Sequence, residues 1–366
     1  MLRRAAFLGL ALAFGGCTKT VWIHDVWDGG GAALGASNDA VSLGGTGIDA
    51  GSCPKSTYLG YLPIQPAQLW ILLDRSSSMD AVFADTTRQA AVQAALKTTI
   101  SKYEGSVSFG FEQFPASVND PAADCLANKC CAGSLLLPTR SNWYDIKPDI
   151  QCDGWQNSSC DLPSPDSPSY AALAQVDDYY NKPTRMKPSS DGYILLVTSS
   201  DPSCAADTSN LCDQALSSAE DLVNNLDVRI VVIDVGSPPP GPDSCLDKIS
   251  TIGSGLTSPP LPTGQSLYAV SSVADLTSAV DDVAFAIAQE ACTVDLTNIS
   301  IPSDHSQVVV SFDNGNIPVQ PPDPSNPDGN GWSISSDNTR ITFSGSNCTQ
   351  IVDGHVDFIR IRMCNQ

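Results

Sequence analysis

Leu69-Trp70-Ile71-Leu72-Leu73-Asp74-Arg75-Ser76-Ser77-Ser78-Met79 decides how the rest of this chain is read. The unbroken apolar run Leu69 to Leu73 predicts a strand buried on both faces of a parallel sheet. It ends in an Asp-x-Ser-x-Ser loop. A helix is expected next, because Val92, Leu96, Ile100 and Tyr103 recur on one face and Gly105 stops the pattern. Strand, oxygen-rich loop and helix, in that order, place ligands at the carboxyl edge of an open α/β sheet. Asp74 would bring a charge there, and Ser76 and Ser78 would bring hydroxyls. These are hard oxygen donors, suited to Mg²⁺, Mn²⁺ or Ca²⁺ and not to zinc. Without metal, the same residues make a polar turn with a capping Asp.

The stretch resembles the von Willebrand factor A (VWA) domain and its metal-ion-dependent adhesion site, which begins with Asp-x-Ser-x-Ser. The resemblance implies an α/β fold with a doubly wound, mostly parallel, Rossmann-like sheet, here over residues 63–291. Val107-Ser108-Phe109-Gly110-Phe111-Glu112-Gln113-Phe114-Pro115 is similar to the second VWA strand. In bacterial lipoproteins of this family a later loop carries Gly-x-Thr-Pro. Ser167 before Pro168 matches that Thr and keeps its hydroxyl. The alternative reading makes Ser167 a helix cap, with Pro168 at the first helical position. After the buried strand Tyr193 to Thr198 the family places an Asp. Ser199 stands there, and Asp201 lies two residues on. The resemblance therefore implies a degenerate site of Asp74, Ser76, Ser78, Ser167 and Asp201, with Mg²⁺ or Mn²⁺ as the cofactor and reduced affinity. Hard cations need charge as well as dipoles, and Asp74 is the one assured carboxylate.

The composition narrows the partners. Net charge is -21 over 366 residues, with a pI near 4.2. Such a surface repels nucleic acid and makes anionic lipid headgroups poor docking surfaces. Thirteen Cys and three scattered His argue for disulfides in an oxidising compartment and against structural zinc. Residues 1–16 read as a signal peptide: Arg3 and Arg4, an apolar stretch from Ala5 to Phe14, then Gly15-Gly16 before Cys17. The pattern looks like a bacterial lipoprotein processing site, which implies lipidation of Cys17 and an outer-membrane location. Residues 17–62 are expected to form the lipidated Cys and a flexible tether. Trp22 and Trp27 within it would rest in the lipid interface or dock on the domain.

Cys204 and Cys212 bracket a short loop and form one candidate bridge. Cys348 and Cys364 flank the last expected strand and form another. From the VWA resemblance, whose termini are commonly bridged, Cys53 with Cys292 is the third. A capping box at Ser272 and Asp275 is expected to start the final helix of the sheet domain. Residues 292–366 lose helical periodicity. They predict a small β-rich, disulfide-bridged unit with strands at Val308 to Phe312, Trp332 to Ile334, Ile341 to Phe343 and Val356 to Ile361. No zincin helix, nucleophile elbow or phosphate loop is present, so an enzyme is not expected. The expected function is binding of a protein or surface ligand, in adhesion or assembly, through an acidic residue of the partner if a metal is held. The alternative is a metal-independent structural protein of the cell surface.

Overall fold

The computed structural model describes residues 56–116, 130–151, 165–182, 192–204, 210–236, 241, 243–254, 264–312, 318–319 and 329–364. In chain order the strands and helices are β1 (Ser56–Pro63), β2 (Ala67–Asp74), β3 (Val82–Phe83), β4 (Thr86–Thr87), α1 (Arg88–Tyr103), β5 (Val107–Phe114), β6 (Leu136–Thr139) and α2 (Trp143–Gln151). Then come α3 (Ser169–Asn181), β7 (Gly192–Thr198), α4 (Leu211–Leu226), β8 (Val228–Val235), α5 (Cys245–Gly253), β9 (Leu267–Val270) and α6 (Val273–Glu290). The last are β10 (Thr293–Asp295), β11 (Val308–Phe312), β12 (Pro318–Val319), β13 (Gly331–Ile334), β14 (Arg340–Ser344), α7 (Ser346–Val352) and β15 (Phe358–Cys364).

A six-stranded sheet in the order β6-β5-β2-β7-β8-β9 forms the centre. All its pairings are parallel except β5 with β6. The run Leu69–Leu73 lies in the middle, in β2, and both of its faces are covered. Leu69, Ile71 and Leu73 join the core built with α1 and α6, through Leu96, Ile100, Val280 and Val283. Trp70 and Leu72 join a second core with α3, α4 and α5, through Leu173, Leu222 and Ile249. Period-two alternation within one apolar strand thus supplies two cores. Trp70 donates to the Tyr180 hydroxyl at 2.7 Å, and burial pushes that phenol up to about 12. Gly110 leaves the room: a Cβ there would come within 2.4 Å of the indole.

The caps follow their residue types. Thr87 accepts from Ala90 N at 3.2 Å to start α1, and Ser272 accepts from Asp275 N at 3.1 Å to start α6. The described part of the 116–165 stretch holds edge strand β6 and helix α2.

Three antiparallel sheets complete the described structure, β1-β15-β11-β12, β10-β14-β13 and the two-stranded β3-β4. The expected C-terminal strands are present as β11, β13, β14 and β15, but α7 interrupts them where no helix was expected. Residues 56–62, expected within the tether, instead form most of β1 and pair with β15 from Ser56↔Cys364 to Pro63↔Phe358. Residues 17–55 lie outside the described part. Ile341, Phe343, Ile359 and Ile361 belong to the same core as α1 and α6. The boundary expected near residue 292 is therefore continuous in its packing.

The disulfides correct all three expected pairings. Cys292 bonds Cys348, Cys130 bonds Cys204, and Cys212 bonds Cys245. Cys53–Cys292, Cys204–Cys212 and Cys348–Cys364 are thereby ruled out as pairs. Cys131 and Cys364 are also disulfide-bonded, and Cys53 lies outside the described residues. Spacing in the chain misled for Cys204–Cys212 and Cys348–Cys364, and the resemblance for Cys53–Cys292, because these bridges join separate elements. Cys212, at the start of α4, meets Cys245 at the start of α5.

Candidate functional site

The carboxyl ends of β2 and β7 and the loop before α3 meet at one spot. Asp74, the last residue of β2, is fully buried there. Its Oδ1 accepts from the Ser76 backbone N–H at 2.7 Å. Its Oδ2 accepts from Ser167 Oγ at 2.8 Å and Thr198 Oγ1 at 2.6 Å. Burial raises the Asp74 carboxyl above the ordinary range, and the bonds from Thr198, Ser76 and Ser167 pull against it. The hydroxyls continue as a chain. Ser76 Oγ and Ser78 Oγ are 2.7 Å apart, and Ser199 Oγ donates to Ser78 Oγ at 2.8 Å.

Asp74, Ser76, Ser78 and Ser167 are thus brought together. Ser167 serves the cluster through its hydroxyl. The N-cap of α3 is Pro168, without a side-chain cap bond. Asp201 is elsewhere: its Oδ1 accepts from Leu246 N at 3.0 Å, in the first turn of α5. A carboxylate suits that position because unpaired N–H groups face it. The structure therefore removes Asp201 from the ligand set. Thr198 was missed. The available signal was a hydroxyl residue ending the strand beside β2, at the same edge as Asp74.

Neighbouring loops hold the cluster in place. Ser203 N donates to Ser167 O at 2.9 Å, while Ser167 N donates to Ser203 Oγ at 2.9 Å. The next residue, Cys204, is bonded to Cys130. Arg88 donates to Ser78 O at 3.2 Å and to Gly236 O at 2.8 Å, tying the Ser76–Ser78 loop to the end of β8. Gly236 has φ 74°, and a Cβ there would come within 2.5 Å of Arg88 Nε. Ser77 and Asp80, in the loop after β2, are exposed.

The donor set suits a hard divalent cation in type and falls short in charge. Asp74 is the one charged member, and three donors already occupy its two oxygens. Ser199 occupies the place where the resemblance calls for a second carboxylate, and its hydroxyl is spent on Ser78. An ion would have to break this hydroxyl chain while gaining a single, already satisfied negative charge. These residues do not fit a tightly held Mg²⁺ or Mn²⁺. Among the described residues, no group of three or more His, Cys, Asp or Glu is placed to hold a metal ion.

No family model matches the sequence. No curated protein matches it either. Among solved structures, the pilus adhesin SpaC from Lactobacillus rhamnosus GG, in its open conformation, is 11% identical, with a TM-score of 0.44. That match covers 82% of this chain, and the chain spans 38% of the adhesin's length. The manganese-loaded TRAP protein of Plasmodium vivax is 15% identical with a TM-score of 0.38, covering 63% of this chain and 76% of that one. The PilB minor pilin from Streptococcus sanguinis is 12% identical with a TM-score of 0.40, covering 63% and 62%.

Proposed function

We propose that this chain is a cell-envelope lipoprotein, anchored through Cys17, that binds a protein or surface ligand at the carboxyl edge of its central sheet. Its role is adhesion or assembly, and it works without a tightly held metal. The observation that carries this reading is the Asp74 cluster. It is a buried carboxylate at a sheet edge, held by the Ser76 backbone N–H and the Ser167 and Thr198 hydroxyls, with exposed Ser77 and Asp80 in the loop that follows it. Such a cluster shapes the edge rigidly, and rigid edges between loops are where open α/β sheets bind ligands. We assign it no catalytic step. Disulfides fit an oxidising compartment, and no described helix is long and apolar enough to cross a membrane.

A photo-crosslinking residue at exposed Ser77, in cells, tests the reading. A discrete adduct that persists in chelator and is lost with Asp74→Ala is expected. No adduct on the intact chain would sink the binding role. An adduct abolished by chelator alone would sink metal independence and restore Mg²⁺ or Mn²⁺ as the cofactor.

A further inference from the structure

The outward face of the β1–β15 pair differs from the rest of this acidic molecule. A bulge between Tyr58 and Gly60 shifts the register, so that Tyr58 stands opposite Arg362 and Tyr61 opposite Arg360. Both tyrosines thereby share one face although they are three residues apart. Phe358, two residues before Arg360, lies on that face too, while Ile359 and Ile361 are wholly buried on the other. Tyr58 is 54% exposed, Tyr61 43% and Phe358 37%. The Tyr61 and Phe358 rings stack at 4.7 Å, and the Arg360 guanidinium is 5.8 Å from the Tyr61 ring centre. Among the described residues, Arg362 Nε is buried without a hydrogen-bond partner. Among the described residues, neither Arg360 nor Arg362 is in a salt bridge.

We propose that this face rests on the phospholipid headgroups of the membrane that holds Cys17. The inference depends on the lipoprotein reading, and two observations support it. The first is position. β1 begins at Ser56, 39 residues after Cys17 (56 − 17). β1 is the described strand nearest the anchor along the chain. The second is chemistry. Tyr rings with an apolar body and a polar tip favour the headgroup level, and guanidinium groups pair with lipid phosphate. The net charge of -21 keeps most of the surface away from anionic headgroups. Two arginines beside three exposed aromatics, in no ion pair among the described residues, are a local exception.

The test follows hydrogen exchange of the full lipidated chain in vesicles of phosphatidylethanolamine and phosphatidylglycerol, beside the Cys17→Ser chain free in solution. Amides of residues 58–62 are expected to exchange roughly tenfold more slowly on vesicles. The protection should vanish with Tyr61→Ser plus Phe358→Ser and weaken with Arg360→Gln. All three side chains face outward, and unchanged thermal midpoints would confirm that the variants fold. Equal exchange with and without vesicles overturns the proposal and leaves the anchor intact. If labelling finds no lipid on Cys17, the anchor reading fails by itself. Vesicles added to the Cys17→Ser chain then decide: slowed exchange supports the docking face, and unchanged exchange overturns it. Protection in solution that grows with protein concentration assigns the face to a second copy and overturns the proposal. Protection by an acidic polysaccharide but not by vesicles does the same.

Discussion

The molecule presents two surfaces built on opposite plans. At the carboxyl edge of the parallel sheet, the functional side chains are buried, polar and bonded to one another around Asp74. On the β1–β15 face they are exposed, aromatic and guanidinium-bearing. The first surface is fixed by register and internal hydrogen bonds, so its shape is inseparable from the stability of the fold. The second is a set of outward rings on a strand pair whose inward isoleucines do the structural work. Substitution should separate the two. Changes at the edge should cost stability and binding together, whereas changes on the face should cost binding alone.

The largest effect is expected from the disulfide that pins the edge. Cys130→Ala with Cys204→Ala opens a loop closure of 74 residues and should lower unfolding stability by up to about 4 kcal/mol, measured in denaturant. A loss below 1 kcal/mol would show that the Ser167–Ser203 bonds hold the loop alone. Asp74→Ala comes next. It strands the donors of Ser76, Ser167 and Thr198 and should cost on the order of 3 kcal/mol. A near-zero cost would place Asp74 with the exposed residues and break the contrast. Tyr61→Ser with Phe358→Ser should change stability by less than about 0.5 kcal/mol, as for surface sites generally. A larger loss would mean that the aromatic face is structural after all.

A smaller, pH-dependent effect sharpens the contrast from a third place. Asp177 on α3 is pushed up to about 7, chiefly by burial and then by Asp221 on α4, with Asn181 bonded to both. The folded state keeps a proton that the unfolded chain releases near 3.8. This contribution to stability is full below that value and is lost as pH rises toward 7. Asp221 is lowered, so its own contribution changes only below 3.8. The thermal midpoint should therefore fall across that window, with a gentler slope in Asp177→Asn. A residual slope should remain, because Asp74 and Glu112 are also raised by burial. No change of slope in the variant would remove Asp177 from the account.

The contrast also explains what could be read from the chain. β2, its loop and α1 were legible because a buried parallel strand is a local apolar run and its ligand loop follows within a few residues. Ser167 was reachable through the proline after it. Thr198 and the true place of Asp201 were not, since each depends on what packs against a loop: Asp74 for one, the amide of Leu246 for the other. β1 was lost to the tether because its partner is the last strand of the chain, and nothing within Ser56–Pro63 announces β15. The bridges failed for the same reason. Proximity in sequence favoured Cys204–Cys212 and Cys348–Cys364, and the resemblance favoured Cys53 for Cys292, whose partner Cys348 lies 56 residues on. α7 is a short helix between strands, too brief for periodicity to register.

One feature of the described backbone has a mechanical side. β1 runs through Ile64, Gln65 and Pro66 directly into β2, which ends at Asp74. Residues 56 to 74 therefore carry the chain through β1 and β2 to the carboxyl edge with nothing but those three residues between the two strands. On the proposed reading, a pull between a lipidated Cys17 and a ligand at the edge would be borne along this stretch. β2 is held in it by parallel neighbours on both sides, β5 and β7. Drawing β2 out along its length would load both ladders in shear, many hydrogen bonds at once, while β1, bonded only to β15 among the described strands, would give way first. Under such tension β1 would act as an extensible leader, and the carboxyl edge would be the last part to yield.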